Sequence, residues 1–238
     1  MASSSLLHFS FSPVTINTKR RQLIHASSSS SSDRQALFSR IAPVYDNLND
    51  VLSLGQHRIW KRMAVDWTGA KEGNNVLDLC CGSGDLAFLL SQKVGVNGQV
   101  TGLDFSREQL IVASSRQQLR SKACFRNLKW VEGDALDLPF SDCHFDAITM
   151  GYGLRNVIDK YKAMKEIYRV LKPGSKASIL DFNKTNYGLT EEYRYLKSSI
   201  QEFLTGEELE HIALEAGFSS AKHFEVGGGL MGNLVATR

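Results

Sequence analysis

Apolar positions along this chain follow two periods, and the switches between them outline most of its elements. Val76–Leu79, Gln99–Asp104, Leu128–Glu132, Phe145–Met150 and Ala177–Asp181 are short apolar runs of the kind that form buried strands. Helical patterns separate them. Asp85–Val94 is one, and Ser106-Arg-Glu-Gln109 has the form of a capping box opening a second that runs to about Ser121. Val157, Tyr161, Met164, Tyr168 and Leu171 recur at helical spacing and stop at Lys172-Pro-Gly174. Thr205-Gly-Glu-Glu208 is another capping box, and the helix it opens ends at Gly217. Two last strands, Ala221–Val226 and Asn233–Thr237, flank Gly227-Gly-Gly229. Upstream, Phe38, Ile41, Tyr45, Leu48 and Leu52 make one apolar helical face with Pro43 breaking its backbone, and Gly55–Trp67 continues with helix formers.

Strands alternating with helices predict an α/β domain with a mostly parallel sheet and helices on both faces. The final pair is too closely connected for a crossover, so it predicts an antiparallel hairpin closing a seven-stranded sheet. The domain expected is 33–238, with a helical preface over 33–70.

Chemistry concentrates where the first strand ends. Leu77-Asp-Leu-Cys-Cys-Gly-Ser-Gly-Asp-Leu86 leads from strand through the Gly82-Ser-Gly84 turn into a helix, whose first N–H groups are available to an acceptor. Gly82-Ser-Gly-Asp-Leu-Ala87 also satisfies the dinucleotide pattern G-x-G-x-x-G/A, with Asp104 near the spacing of a ribose-binding acid. Asp78 weighs against a nicotinamide cofactor, because a buried carboxylate facing a pyrophosphate is repulsive. It suits a ligand with a cationic amine, such as the amino-acid end of S-adenosylmethionine.

Residues 1–32 hold eleven serines and no acid, with Lys19, Arg20 and Arg21 the basic residues, which is the composition of an organelle transit peptide. Those three residues account for the whole excess of 28 Lys+Arg over 25 Asp+Glu, so the remainder is formally neutral and nothing points to nucleic acid. No apolar run is long enough to span a bilayer. Cys80, Cys81, Cys124 and Cys143 lack zinc-ligand spacing, no metal is expected, and the adjacent pair Cys80-Cys81 is expected to be small buried strand-end residues.

Several separated motifs carry a resemblance. Phe38-Ser-Arg-Ile-Ala-Pro-Val-Tyr-Asp-Asn-Leu-Asn49, Ser53–Trp60, Leu77–Leu86, Glu132-Gly-Asp-Ala135, Leu138-Pro-Phe140, Gly153-Leu-Arg-Asn-Val157, Leu171-Lys-Pro-Gly174 and Leu180-Asp-Phe182 resemble those of the quinone-biosynthesis C-methyltransferases of the ubiquinone/menaquinone type. The resemblance spans residues 36–238 and implies a class I, Rossmann-like fold with S-adenosylmethionine as cofactor. With the serine-rich, plastid-like leader it implies C-methylation of a prenylated naphthoquinol in the chloroplast, with possible peripheral contact with plastid membranes. A prenylated benzoquinol is the alternative substrate. The chain is shorter than this family between Asn183 and Tyr193, so a cofactor-binding but inactive form is a further alternative.

The resemblance and the strand-end positions together nominate the site. Asp78, Gly82, Ser83 and Gly84 are expected against the methionine end, Asp104 on the ribose hydroxyls, Asp134 with Ala135 at the adenine, and Gly151 beside them. Arg155 is the first candidate for catalysis, with its guanidinium favouring an anionic ring oxygen. Tyr45 and Tyr152 are expected to orient the ring and Asn156 to hydrogen-bond an oxygen, while His57, a candidate base by residue type, is expected to fill a polar face.

Overall fold

The computed structural model describes residues 56–184 and 199–238. The expected transit peptide over 1–32, Tyr45, the apolar face expected over 37–54 and the segment after Asn183 that is expected to be short fall largely or wholly outside them. The described part begins with helix α1, His57–Trp67. Strands and helices then alternate: β1 Asn75–Leu79, α2 Asp85–Val94, β2 Gln99–Asp104, α3 Arg107–Gln118, β3 Leu128–Glu132, β4 Phe145–Gly151, α4 Lys160–Val170 and β5 Leu171–Phe182. Helix α5, Gly206–Ala216, and the hairpin β6 Ser220–Val226 with β7 Met231–Thr237 complete the chain.

The seven strands form one sheet in the order β3-β2-β1-β4-β5-β7-β6. Strands β1 to β5 are parallel, and β7 runs antiparallel between β5 and β6. This is the α/β sheet with a terminal antiparallel hairpin that the alternation predicts. Strand order reverses between β1 and β4, so a crevice opens at the carboxyl ends of those two strands, the place where open α/β sheets bind ligands.

Burial follows from the apolar runs. Val76, Leu77 and Leu79 of β1 and Ala147, Ile148 and Met150 of β4 are fully buried, as central strands covered by helices on both faces require. One core lies beneath α4 and α5 and contains Leu77, Ile148, Met164, Ile167, Phe203 and Leu234. On the other face Leu86, Phe88, Leu90 and Val94 of α2 meet Val76, Val100 and Phe125. Trp60 and Ala64 of α1 pack with Tyr152, Leu180, Phe182 and Met231 in a third cluster. His57 belongs to this inward face of α1, being buried with Trp60 and Lys61, so it does not fill a polar face.

Local rules set several boundaries. Ser106 caps α3, its side chain accepting from Gln109 N. Asp159 caps α4, which therefore starts at Lys160 and not at Val157. Strand β5 begins at Leu171, well before the expected Ala177. Phe145 pairs with Leu171 and Ala147 with Lys176, so the Lys172-Pro-Gly174 stop is an irregularity inside a longer strand. At α5 the capping box is complete, since Thr205 Oγ1 accepts from Glu208 N and Glu208 returns to Thr205 N. Thr205→Ala is expected to lower stability by about 1 kcal/mol, read as a lower urea midpoint with an unchanged m-value.

Candidate functional site

A cavity of about 760 Å³ opens at the carboxyl ends of β1, β2 and β4. Its lining includes Asp78, Gly82, Ser83, Asp104, Asp134, Ala135, Gly151, Tyr152 and Asn156, so the fold assembles most of the nominated residues in one place. Strand register explains part of the convergence. Asp78 of β1 stands directly opposite Thr149 of β4, and Thr149 Oγ1 donates to Asp78 Oδ1 at 2.7 Å. The other carboxylate oxygen, Asp78 Oδ2, is buried with no hydrogen-bond partner. Burial pushes the Asp78 carboxyl up to about 7, with Thr149, the Ala87 backbone and Lys61 pulling against it. A buried carboxylate oxygen left unmatched beside a cavity is what a cationic ligand group would satisfy.

The turn after β1 is held from several sides. Cys80 adopts a left-handed φ of 55°, a strained conformation for a residue with a side chain. It is half-buried and lines the cavity, while Cys81 is buried, so only Cys81 follows the buried strand-end expectation. Burial and the neighbouring carboxylates of Asp104 and Asp78 hold both thiols well above the ordinary cysteine range. Gly84 has φ 91°, and a Cβ on it would lie 2.6 Å from the Trp130 ring, so glycine is required there on two counts.

Asp104 ends β2 with its carboxylate turned to the turn itself. Its Oδ2 accepts from Gly82 N at 2.8 Å and its Oδ1 from Ser106 N at 2.9 Å. Burial raises its carboxyl, against these backbone donors. Asp134 is exposed and its Oδ1 accepts from Leu136 N, with the buried Ala135 beside it. Gly151 lies close under Leu86, where a Cβ would come within 2.6 Å of Leu86 Cδ1.

An ionic cluster unforeseen in the sequence braces this turn. Lys61 Nζ of α1 donates to Asp85 Oδ2 at 2.6 Å, and Arg116 Nη2 of α3 donates to Asp85 Oδ1 at 2.6 Å. Arg116 Nη1 also donates to Ser83 O and Ser83 Oγ. Burial alone would raise the Asp85 carboxyl, but Lys61 and Arg116 overcome it and bring it down to about 2. No spacing signal announces these pairs, because their partners lie 24 and 31 residues apart in the chain.

The turn after β4 carries the other nominated side chains. Tyr152 has φ 58°, so this residue too sits in the left-handed region. Its carbonyl accepts from Arg155 Nη1 at 2.7 Å and from Asn156 Nδ2 at 3.3 Å. Its ring is 5.6 Å from that of Phe182, with Lys61 Nζ 5.7 Å from its centroid. Arg155 differs from its expected place. Its side chain is fully buried, is absent from the cavity lining, and donates to Asp181 Oδ1 at 2.6 Å. Its backbone N–H donates to Asp181 Oδ2. Among the described residues its guanidinium thus meets Asp181 and the Tyr152 carbonyl, tying the Tyr152 turn to β5, and is not at the cavity wall where a ring oxygen was expected to meet it. Among the described residues no group of His, Cys, Asp and Glu is arranged to hold a metal ion.

Solved structures agree on the fold. One from Aquifex aeolicus, described as a SAM dependent methyltransferase, matches with TM-score 0.62 at 24% identity, covering 74% of this chain and 88% of that one. Another from Thermotoga maritima, described as a SAM-dependent methyltransferase and possible histamine N-methyltransferase, matches with TM-score 0.64 at 21% identity, covering 85% and 98%.

The ubiE/COQ5 methyltransferase family model matches residues 26–190 and 187–238, and the chain belongs to that family. An Arabidopsis thaliana protein named 2-phytyl-1,4-beta-naphthoquinone methyltransferase, chloroplastic, is 61% identical over 248 residues, covering 95% of this chain and 94% of that one. A Nostoc protein named 2-phytyl-1,4-naphtoquinone methyltransferase is 50% identical over 226 residues, covering 86% and 98%. The chain is therefore a methyltransferase whose cofactor is S-adenosylmethionine. The two pieces of the family match meet between 187 and 190, inside the segment expected to be short, and the first alignment is longer than the chain's own 238 residues.

Proposed function

We propose that this chain transfers a methyl group from S-adenosylmethionine to a ring carbon of 2-phytyl-1,4-naphthoquinol, giving phylloquinone (vitamin K1) in the chloroplast. The observation carrying this reading is the 61% identity, over nearly the whole of both chains, to the Arabidopsis protein bearing that activity and address in its name. Residues 1–32 then serve as the transit peptide and 33–238 as the catalytic domain.

Asp78 holds the ammonium of the cofactor's methionine end, its buried unmatched oxygen being the supporting feature. Gly82, Ser83 and Gly84 run beneath that end. Asp104 serves the ribose side, braced by Gly82 and Ser106, while Asp134 and Ala135 serve the adenine side and Gly151 closes the floor. When bound, the cofactor supplies an electrophilic methyl on its sulfonium. The chain's own work is to orient the ring and exclude water. Tyr152 and Asn156 do so from the wall of the cavity, and Tyr45 is assigned to the same task. Arg155 acts through Tyr152, holding that residue in its left-handed conformation.

The phytyl tail leaves past Ile158, an apolar residue that lines the cavity yet is half exposed. That position suits a peripheral approach to a plastid membrane. Among the described residues no helix is long and apolar enough to cross a membrane.

The test uses protein beginning at Asp33, methyl-labelled S-adenosylmethionine, and the reduced phytyl-naphthoquinol beside a prenylated benzoquinol. Label in the naphthoquinol product is expected. Label only in the benzoquinol product, or in neither with cofactor bound, overturns the reading.

A further inference from the structure

Among the described residues lining the cavity, Lys61 is the one cation beside five carboxylates: Asp78, Asp85, Asp104, Glu132 and Asp134. Its side chain is only 9% exposed, and an ammonium buried to that degree needs partners for its three donors. Asp85 Oδ2 takes one, at 2.6 Å. The Tyr152 ring lies 5.7 Å away and is a softer contact. Asp85 does not neutralise the lysine outright, because it shares its charge with Arg116 at 2.6 Å. Lys61 therefore keeps donors for a further acceptor at the cavity wall. Lys61 is also near enough to Asp78 to pull on that carboxyl.

We propose that Lys61 receives the α-carboxylate of the cofactor's methionine end, next to Asp78, which receives its α-ammonium. The amino-acid end is a zwitterion, and a wall lined with acids would repel its carboxylate unless a cation stood among them. Lys61 and Asp78 form the oppositely charged pair that such a group requires. The α1 helix is then part of the cofactor site as well as a cover over β5. This inference rests on the reading that the methionine end lies at Asp78.

The ligand pair S-adenosylhomocysteine and S-adenosyl-3-thiopropylamine, the same molecule without its carboxylate, isolates the contact. Calorimetry on the wild type is expected to give homocysteine-ligand affinity on the order of ten- to a hundred-fold above the thiopropylamine, the range of a charge-assisted hydrogen bond. Lys61→Met is expected to lose most of that preference while thiopropylamine affinity stays within roughly three-fold, and Lys61→Arg to retain it. If Lys61→Met does not fold, Lys61→Gln, which keeps a hydrogen-bonding group toward Asp85, carries the comparison with the same expectation. A variant that weakens both ligands equally, or keeps the preference, overturns the proposal and leaves Lys61 a structural brace. Wild type that binds neither ligand overturns the cofactor reading on which it stands.

Discussion

Arg155→Met is expected to destabilise the protein by about 3–5 kcal/mol, because it strands Asp181 in the core without its counter-charge. The pair is buried on both sides, with side-chain exposures of 0% and 3%. Asp181 retains backbone donors from Arg155 and Phe182, which soften the loss without matching a full charge. Urea unfolding with the cofactor absent reads the effect. Arg155→Met/Asp181→Leu is expected to recover much of the stability, since an apolar pair of similar volume carries no desolvation cost. Activity is not expected to return with it, because nothing then secures the Tyr152 carbonyl in its strained turn. Full activity in the double variant would show that Arg155 contributes only to the fold.

Asp78→Asn is expected to behave in the opposite way, weakening the cofactor on the order of ten- to a hundred-fold while leaving stability intact or raised near neutral pH. The sign follows from the carboxyl being held near 7 in the folded chain against an ordinary value of 3.8. Between those values the folded form binds more protons than the unfolded one. Its contribution to stability is fully present below 3.8 and is lost as pH rises through about 7. Asparagine removes the charge that burial disfavours, so the variant should lose this dependence. Cofactor affinity runs the other way. The ionised carboxylate is the form that receives an ammonium, so wild-type affinity for S-adenosylhomocysteine should fall about ten-fold per unit as pH drops well below that value. A flat profile from pH 5 to 7.5, with Asp78→Asn unchanged in affinity, would remove Asp78 from the site.

Elements that rest on local rules were legible from residues alone. Thr205, Glu208 and Gly217 bracket α5, and Val100 with Leu103 mark β2 as buried; both elements lie where the pattern puts them. Strand β5 was underestimated, because Pro173 and Gly174 signal a stop locally, whereas pairing with Phe145 decides where the strand begins. The cavity's acids and glycines were legible because they follow strand ends, a place the topology itself makes functional. Side-chain partners were not. Arg155 advertises a charge, yet its partner Asp181 is 26 residues away, and Lys61 is 24 residues from Asp85. No periodic pattern encodes which buried charge meets which, so the residue type was visible and its role was not.

The most direct measurement of the central claim uses S-adenosylmethionine with a fully deuterated methyl group, reduced 2-phytyl-1,4-naphthoquinol, and mass and NMR analysis of the product. The account predicts the deuterated methyl on the ring carbon beside the phytyl chain. A methyl ether on a ring oxygen would contradict it, as would untouched quinol alongside bound cofactor.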